Sequence, residues 1–371
     1  MSASTSQKVP IFRSRKAISG LAVLLVFAIV VVSAPTIGNS WDRWRGTSTI
    51  SSELTQLDSP VAERTETNLV ALDDGRVFQW AGRGAVNDGV IFDPSTNTFE
   101  ELPTPSDLGR AAASTVWTGE EVIVWGGTTG KQETTVTKGG VAYDPTEKRW
   151  RTISDAPVGL SHAPAQFVDG QVLIAGGRQT QKEPTSLLYD VKTDAWNVIP
   201  IDVHIQTMFN FDGRIIGAGT LHMPGSEPEW QLTEFDSESQ TWTSLGQQLQ
   251  SDRLLPFVVD DQVGAVSLNH ANNPGQVLVL SGDEWTEKKE LPSSYADSID
   301  PSSFYFWADW TGDALVFSGN SKPLRYDPAT DTFGLFDQQV DISGPAVWNG
   351  DQLVALAPQS SSGWALKPSE N

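Results

Sequence analysis

The chain has 371 residues, of which 46 are acidic and 25 are Lys or Arg, so its formal net charge is −21. Nucleic-acid binding requires a basic face, and this acidic excess argues against DNA or RNA as a partner. The chain contains no cysteine. Disulfides are therefore excluded, and the fold must be held together by packing.

The first segment predicts a membrane anchor. Residues 1–16 carry four basic side chains, and the next charged residue is Asp42. The run 17–34 contains eleven Leu, Ile, Val or Phe residues, which favours insertion into a bilayer by about 3 to 7 kcal/mol. Because basic residues remain on the cytoplasmic side, we expect residues 1–16 to be cytoplasmic and residues 17–34 to form a single-pass transmembrane helix in the plasma membrane.

Cleavage of this segment is the open alternative. The stretch "VVSA" at 31–34 resembles a small-residue cleavage site, but Pro35 follows it. The apolar run is also longer than the core of a typical signal peptide. We therefore predict an uncleaved signal anchor, a polar stalk over residues 35–47 and an extracytoplasmic domain over residues 48–371. The protein is secreted if the segment is cleaved.

A repeated pattern begins after the stalk. In five copies, an aromatic residue that is followed directly by Asp lies seven positions before a second aromatic residue. A sixth, degraded copy keeps only Trp285. The aromatic pairs are Phe92 and Phe99, Tyr143 and Trp150, Tyr189 and Trp196, Phe235 and Trp242, and Tyr326 and Phe333.

A short apolar run precedes each complete copy. "VDGQVLIAGG" is an example: a turn, then four to six residues rich in Val, Ile, Phe or Trp, then glycine. Such runs predict buried strands rather than helices, and the closing glycines permit close backbone approach. One unit thus predicts a four-stranded antiparallel sheet. Because the second aromatic residues recur every 43 to 51 residues, the chain predicts a β-propeller.

These motifs resemble the kelch repeat family over residues 60–371. The resemblance implies an all-β, galactose oxidase-like propeller in which the repeated glycines and aromatic residues are structural. Other units depart from the pattern: Ala81-Gly82 and Ser318-Gly319 replace the glycine pair, and the unit at 252–291 lacks both glycines and the Tyr. The residues that carry the resemblance are Gly126, Gly127, Tyr143 and Trp150, then Gly176, Gly177, Tyr189 and Trp196, with Trp242 and Tyr326 in later units.

The number of strands predicts seven blades. Six units have their own final strand, whereas the C-terminal segment that starts "GPAVWNG" supplies only three strands. An open blade would leave unpaired edges. The segment "TISSELTQLDSPVAER" resembles a final strand, so we expect the two ends of the chain to close blade seven. The fold prediction is a seven-bladed kelch-type β-propeller preceded by an N-terminal transmembrane helix.

Basic residues recur just before the innermost strands. Such positions ring one mouth of the central channel, where guanidinium groups suit a carboxylate or phosphate. The alternative is that each arginine caps loop carbonyls or pairs with a nearby Asp. Longer loops on the same side, at 128–140, 178–185, 220–230 and 269–275, are candidates for binding. The candidate ligand-binding residues are Arg64, Arg110, His162, His204 and Arg253.

No cofactor or metal is predicted. The sequence has no calcium loop, G-x-S-x-G elbow, H-E-x-x-H helix or phosphate loop, and catalytic residues stay unknown. The copper radical site of galactose oxidase uses a cysteine, which this chain lacks. We therefore favour a binding or protein-interaction module at the cell envelope, with a protein or glycan ligand. The alternatives are a carbohydrate-active enzyme similar to the sialic acid mutarotases, and a structural scaffold.

Overall fold

The structure is a computed structural model. It describes residues 47–84, 86–103, 109–129, 135–178, 184–221, 229–269, 275–291, 301, 306–318, 322–341, 343–356, 358 and 362–369. The predicted cytoplasmic segment, the anchor and the stalk up to residue 46 lie outside the described residues. Among the described residues, no helix is long and apolar enough to cross a membrane.

Among the described residues, seven sheets follow one another and each forms one blade: six have four antiparallel strands, and the sheet of blade six has a fifth strand. Two strands precede blade one: β1 (Thr47–Ile50) and β2 (Ser52–Gln56). Blades one to three have short strands. Blade one contains β3 (Asn68–Ala71), β4 (Val77–Trp80), β5 (Gly89–Asp93) and β6 (Thr98–Glu101). Blade two contains β7 (Ser114–Trp117), β8 (Val122–Trp125), the small hairpin β9 (Thr128–Thr129) and β10 (Thr135–Val136), then β11 (Gly140–Asp144) and β12 (Arg149–Ile153). Blade three contains β13 (Ala165–Val168), β14 (Gln171–Ala175), β15 (Ser186–Asp190) and β16 (Ala195–Ile199).

Blades four and five have longer strands. Blade four contains β17 (Val203–Phe211), β18 (Arg214–Leu221), β19 (Glu229–Asp236) and β20 (Thr241–Gln250). Blade five contains β21 (Arg253–Val259), β22 (Gln262–Leu268), β23 (Gly275–Ser281) and β24 (Glu284–Glu290).

Blade six contains β25 (Trp307–Trp310), β26 (Leu315–Ser318), β27 (Leu324–Asp327) and β28 (Thr332–Phe336). Blade seven combines β29 (Val347–Trp348), β30 (Leu353–Leu356) and β31 (Gly363–Pro368) with β2.

The seven-bladed all-β architecture is confirmed, including the closure of blade seven by both ends of the chain. Strand β2 pairs antiparallel with β31, with Ser52 opposite Pro368 and Gln56 opposite Trp364. Blade five also forms a complete sheet although its unit lacks most of the repeat motif. Its two inner strands keep nearly continuous buried runs, which is typical of strands covered on both faces.

Strand β1 was not expected. It pairs parallel with β28 and adds a fifth strand to blade six, with Ile50 opposite Phe336. Gly334 leaves room for the side chain of Ile50, since a Cβ atom there would lie 2.5 Å from Cδ1 of Ile50. The N-terminal strands therefore contact two adjacent blades, β1 on blade six and β2 on blade seven.

The repeated aromatic residues pack within and between blades. Tyr143 lies opposite Trp150 in the sheet, and their rings are 4.8 Å apart. Trp150 also packs 4.6 Å from Trp80 of the preceding blade, and Trp196 packs 5.0 Å from Trp125 in the same way. The indole of Trp150 donates to the carbonyl of Pro103 at 2.8 Å. The Tyr189–Trp196, Phe235–Trp242 and Tyr326–Phe333 pairs have centroid distances of 4.7, 5.2 and 4.6 Å.

The glycine pairs lie where two blades approach most closely. Gly127 has a φ of 80°, and a Cβ atom there would lie 2.5 Å from the carbonyl oxygen of Ala111. A Cβ atom on Gly126 would lie 2.5 Å from the carbonyl oxygen of Leu160, which belongs to the loop before blade three. Only glycine tolerates both constraints. Gly176 and Gly177, one blade further on, also have positive φ values, and Cβ atoms there would meet the carbonyl oxygens of Ile205 and Ser161.

Candidate functional site

A cavity of about 530 Å³ is lined by residues from all seven blades. Only the axis of a propeller is within reach of every blade, so this cavity lies in the central channel. Its lining combines charged, polar and aromatic side chains. One lining residue from each blade in turn is Glu66, Ala112, His162, His204, Arg253, Phe306 and Pro345.

The structure brings three of the five predicted ligand-binding residues together at this cavity. His162, His204 and Arg253 line it, whereas Arg64 and Arg110 do not. Their role in ligand binding stays a prediction. Parts of the longer loops named as binding candidates, residues 130–134, 179–183, 222–228 and 270–274, lie outside the described residues.

Arg64 and Arg110 are buried among acceptors of the chain itself, with exposed fractions of 6% and 5%. Nε of Arg64 donates to the carbonyl of Ala62 at 2.7 Å, and its Nη1 pairs with Asp88. Nη1 of Arg110 donates to the carbonyl of Gly139 at 2.8 Å. Burial lowers the pKa of Arg110 to about 10, which still leaves it charged at neutral pH. Both arginines therefore have the contacts expected of a structural role, in which each arginine caps loop carbonyls or pairs with a nearby Asp.

Three cavity residues of blades one to three, Glu66, Ala112 and His162, share an unusual backbone conformation. Their φ values are 54°, 51° and 57°, a left-handed region that costs a non-glycine residue about 1 kcal/mol or more. Backbone hydrogen bonds link the three: the amide of Ala112 donates to Glu66 at 3.0 Å, and the amide of His162 donates to Ala112 at 2.8 Å. These two hydrogen bonds link the channel-facing loops of blades one, two and three.

Sequence reasoning missed Glu66. The sequence prediction took Arg64 and Arg110 as the residues before their innermost strands that correspond to His162. The structural equivalents of His162 are Glu66 and Ala112, two positions further along the chain. The spacing to the following strand shows this offset, since the residue at this position precedes each of these inner strands by two or three residues.

One wall of the cavity carries opposite charges. Oε1 of Glu66 lies 3.7 Å from Nε2 of His162 and 3.9 Å from Nη1 of Arg83. The Glu66 side chain is 11% exposed. Both distances exceed that of a hydrogen bond, so these contacts are electrostatic and leave room for a small movement of either partner.

The opposite wall is formed by Arg253 and two aromatic residues. Nε of Arg253 donates to the carbonyl of Pro301 at 3.0 Å, and its guanidinium carbon lies 4.3 Å from the ring centre of Phe306. This is a cation–π contact. Burial lowers the pKa of Arg253 and is the sole cause of the shift. Among the described residues, no carboxylate forms an ion pair with this arginine.

A second cavity of about 220 Å³ adjoins the first. Both are lined by Gln206, Arg253, Phe306 and Trp307. The other residues of the second cavity are mostly apolar and include Met208, whose side chain is buried. The arginine therefore stands between the two cavities. Within the described part of the chain, no group of three His, Asp or Glu side chains is placed to hold a metal ion.

Comparison with known proteins supports the repeat type. No family model matches the chain. An F-box/kelch-repeat protein of Arabidopsis thaliana is 25% identical over 128 residues, which are 31% of this chain and 33% of that protein. The chain thus spans about a third of the length of this curated relative. Together with the seven-bladed fold, the similarity supports a kelch-type propeller.

Proposed function

We propose that this protein is a membrane-anchored, extracytoplasmic kelch-type propeller that acts as a binding module at the cell envelope. The observation that carries the proposal is the cavity to which all seven blades contribute. Concave sites of a few hundred Å³ with a few convergent polar groups are typical of binding sites. The partner is a protein or a glycan that reaches the channel mouth, and the kelch-repeat relative is consistent with a protein-interaction role.

Catalysis is the second candidate function, and the observation that favours it is that Glu66 and His162 line the same cavity with Oε1 and Nε2 3.7 Å apart. The carbohydrate-active alternative depends on this pair, because it is an acid and a base that face the same cavity. That alternative predicts turnover of an anionic sugar that is lost in both Glu66→Gln and His162→Gln.

A site-specific crosslinking experiment on intact cells tests partner binding. We would place a photoreactive residue at Gln206, an exposed position of the cavity, and a matched one at Val198 on the outer strand β16, which is 53% exposed. We expect a discrete crosslinked partner from Gln206 and none from Val198. Equal products at the two positions, or products at Val198 alone, contradict binding at the mouth.

Membrane anchoring needs its own experiment, because the proposal depends on the apolar run 17–34. We expect the full-length protein to sediment with membranes after alkaline washing, and its propeller to be digested by protease added outside intact cells. Replacement of two leucines in this run by Arg should release the protein from the membrane fraction, since each central Arg costs about 3 kcal/mol. Resistance of the wild-type propeller to external protease contradicts the extracytoplasmic placement.

A further inference from the structure

The shared wall of the two cavities contains a partly buried cation, Arg253, that has no acidic partner among the described residues. Arg253 is one of 25 Lys and Arg residues in a chain with 46 acidic residues. Burial is nevertheless the one cause of the shift in its pKa, and no described carboxylate pairs with it. Isolated charges are costly to bury. Its Nε–H is already used by the carbonyl of Pro301, so the two terminal nitrogens are the groups left to meet a ligand.

Two further residues of the cavity wall carry buried polar atoms that have no partner among the described residues. Trp307 is 8% exposed, and its Nε1 has no described acceptor. The hydroxyl of Thr67, on the other side of the same cavity, also lacks a described partner. Both atoms are enclosed by the protein, so Arg253 is the donor of this wall that a ligand in the cavity would meet.

We propose that the channel binds a small monocarboxylate that carries an apolar group, with the carboxylate on Arg253 and the apolar group in the second cavity beside Met208. A planar carboxylate matches the two parallel N–H groups at the end of a guanidinium. The site proposed here goes beyond partner binding at the mouth, and it stands even if no macromolecular partner exists.

The charge of the ligand follows from the two walls. One guanidinium compensates one negative charge, and a second negative charge in the same cavity would approach Glu66. Arg178 also lines the cavity, but it is exposed and therefore offsets a second charge only weakly. The apolar group follows from the second cavity, which has a volume of about 220 Å³ and is lined by Met208, Phe209 and Pro164. This space suits an aromatic ring or a short alkyl chain.

Isothermal titration calorimetry on the full-length protein tests this site with three probes: phenylacetate, its amide phenylacetamide, and acetate. The acid and the amide differ in charge, whereas the acid and acetate differ in the apolar group. We expect phenylacetate to bind about tenfold more tightly than either of the others, because it alone combines a charge-assisted pair with a buried ring. Equal affinities for acid and amide, or no binding of phenylacetate up to about 10 mM, overturn the proposal.

Matched variants place the binding site. Arg253→Gln should weaken phenylacetate binding about tenfold or more, whereas Arg178→Gln, at an exposed cation of the same cavity, should change it less than about threefold. An unchanged affinity in Arg253→Gln overturns the proposal. If that variant does not fold, Arg253→Lys replaces it, because Lys keeps the charge but loses the bidentate geometry. Since the crosslinking at Gln206 is read out on a different partner, either result can fail without the other.

Discussion

The hydroxyl of Tyr143 is buried and has no hydrogen-bond partner among the described residues. The equivalent tyrosines of blades three and six donate to an Asp five residues later: Tyr189 to Asp194 at 2.7 Å, and Tyr326 to Asp331 at 3.0 Å. In blade two this turn position is Lys148, which has the same left-handed backbone, with a φ of 53°. One repeat therefore keeps the aromatic residue but lacks its acceptor.

We predict that Lys148→Asn stabilises the protein by about 1 kcal/mol. The amide oxygen would accept the Tyr143 hydroxyl, and Asn is better suited than Lys to a left-handed backbone. The lost pair of Lys148 with Glu100 at 2.7 Å is exposed and contributes little. Denaturant unfolding of the variant measures the gain. In a Tyr143→Phe background most of the gain should disappear, and an equal gain there shows that the hydroxyl is not involved.

The carboxyl of Asp309 links the inner strands of blades six and seven. It accepts the backbone amides of Trp310 at 2.9 Å and Trp348 at 2.8 Å. Burial raises its pKa to about 6, and the two amides oppose the shift. Because the pKa is higher in the folded state than in the unfolded chain, the proton is bound more tightly in the folded state. The contribution of Asp309 to stability therefore falls as the pH rises from about 4 to about 6, and is constant above that range.

We predict that Asp309→Asn removes this contribution to the pH dependence of stability, because Asn does not titrate. Relative to wild type, the free energy of unfolding of the variant should rise by about 1 to 2 kcal/mol between pH 4 and pH 6.5. This is less than a two-unit shift implies in full, because Asp309 keeps partial exposure and water screens it. Urea unfolding at several pH values measures the difference. A difference that does not change with pH shows that Asp309 titrates normally.

At the scale of elements, the sequence was informative where a repeat unit was incomplete. The C-terminal segment has three strands, so the fourth, β2, could be predicted from the segment before unit one. Strand β1 could not be predicted, because a parallel edge strand of four residues follows no repeat and depends on the absence of a side chain at Gly334. Three of the five residues predicted to surround the channel mouth line the cavity, because the propeller topology places the segment before each innermost strand there. Glu66 could not be predicted, because its position depends on a left-handed backbone conformation that residue type alone does not reveal.

We predict that Gly334→Val detaches β1 while the rest of blade six stays folded. The new Cβ would lie 2.5 Å from Cδ1 of Ile50, and β1 is an edge strand with one neighbour. Hydrogen-exchange mass spectrometry should show faster exchange over β1 with little change over β26 and β27. The double variant Gly334→Val, Ile50→Ala should recover protection, because it removes the clash. If protection stays lost in the double variant, steric conflict with Ile50 is not the cause.

At the scale of the whole molecule, cooperativity depends on the joint between the two ends of the chain. Strands β3 to β31 follow the propeller in order, whereas β1 and β2 come from the other end and join blades six and seven. Without disulfides, the five residue pairs between β2 and β31 and the packing of Leu54 against the core between blades six and seven hold this joint. An unpaired β31 would also be an exposed strand edge.

We therefore predict a sharp difference between two N-terminal truncations. Removal of residues 1–46 retains β1 and β2 and should leave the unfolding temperature within a few degrees of that of the full chain. Removal of residues 1–56 deletes both strands and should lower the free energy of unfolding by about 3 kcal/mol or more, because a strand with a half-buried apolar residue and its ladder of backbone hydrogen bonds is lost. Calorimetry measures the stability, and size-exclusion chromatography reports association through the new edge. Equal stability of the two truncations would show that blade seven is complete with three strands and that the ring is not closed by β2.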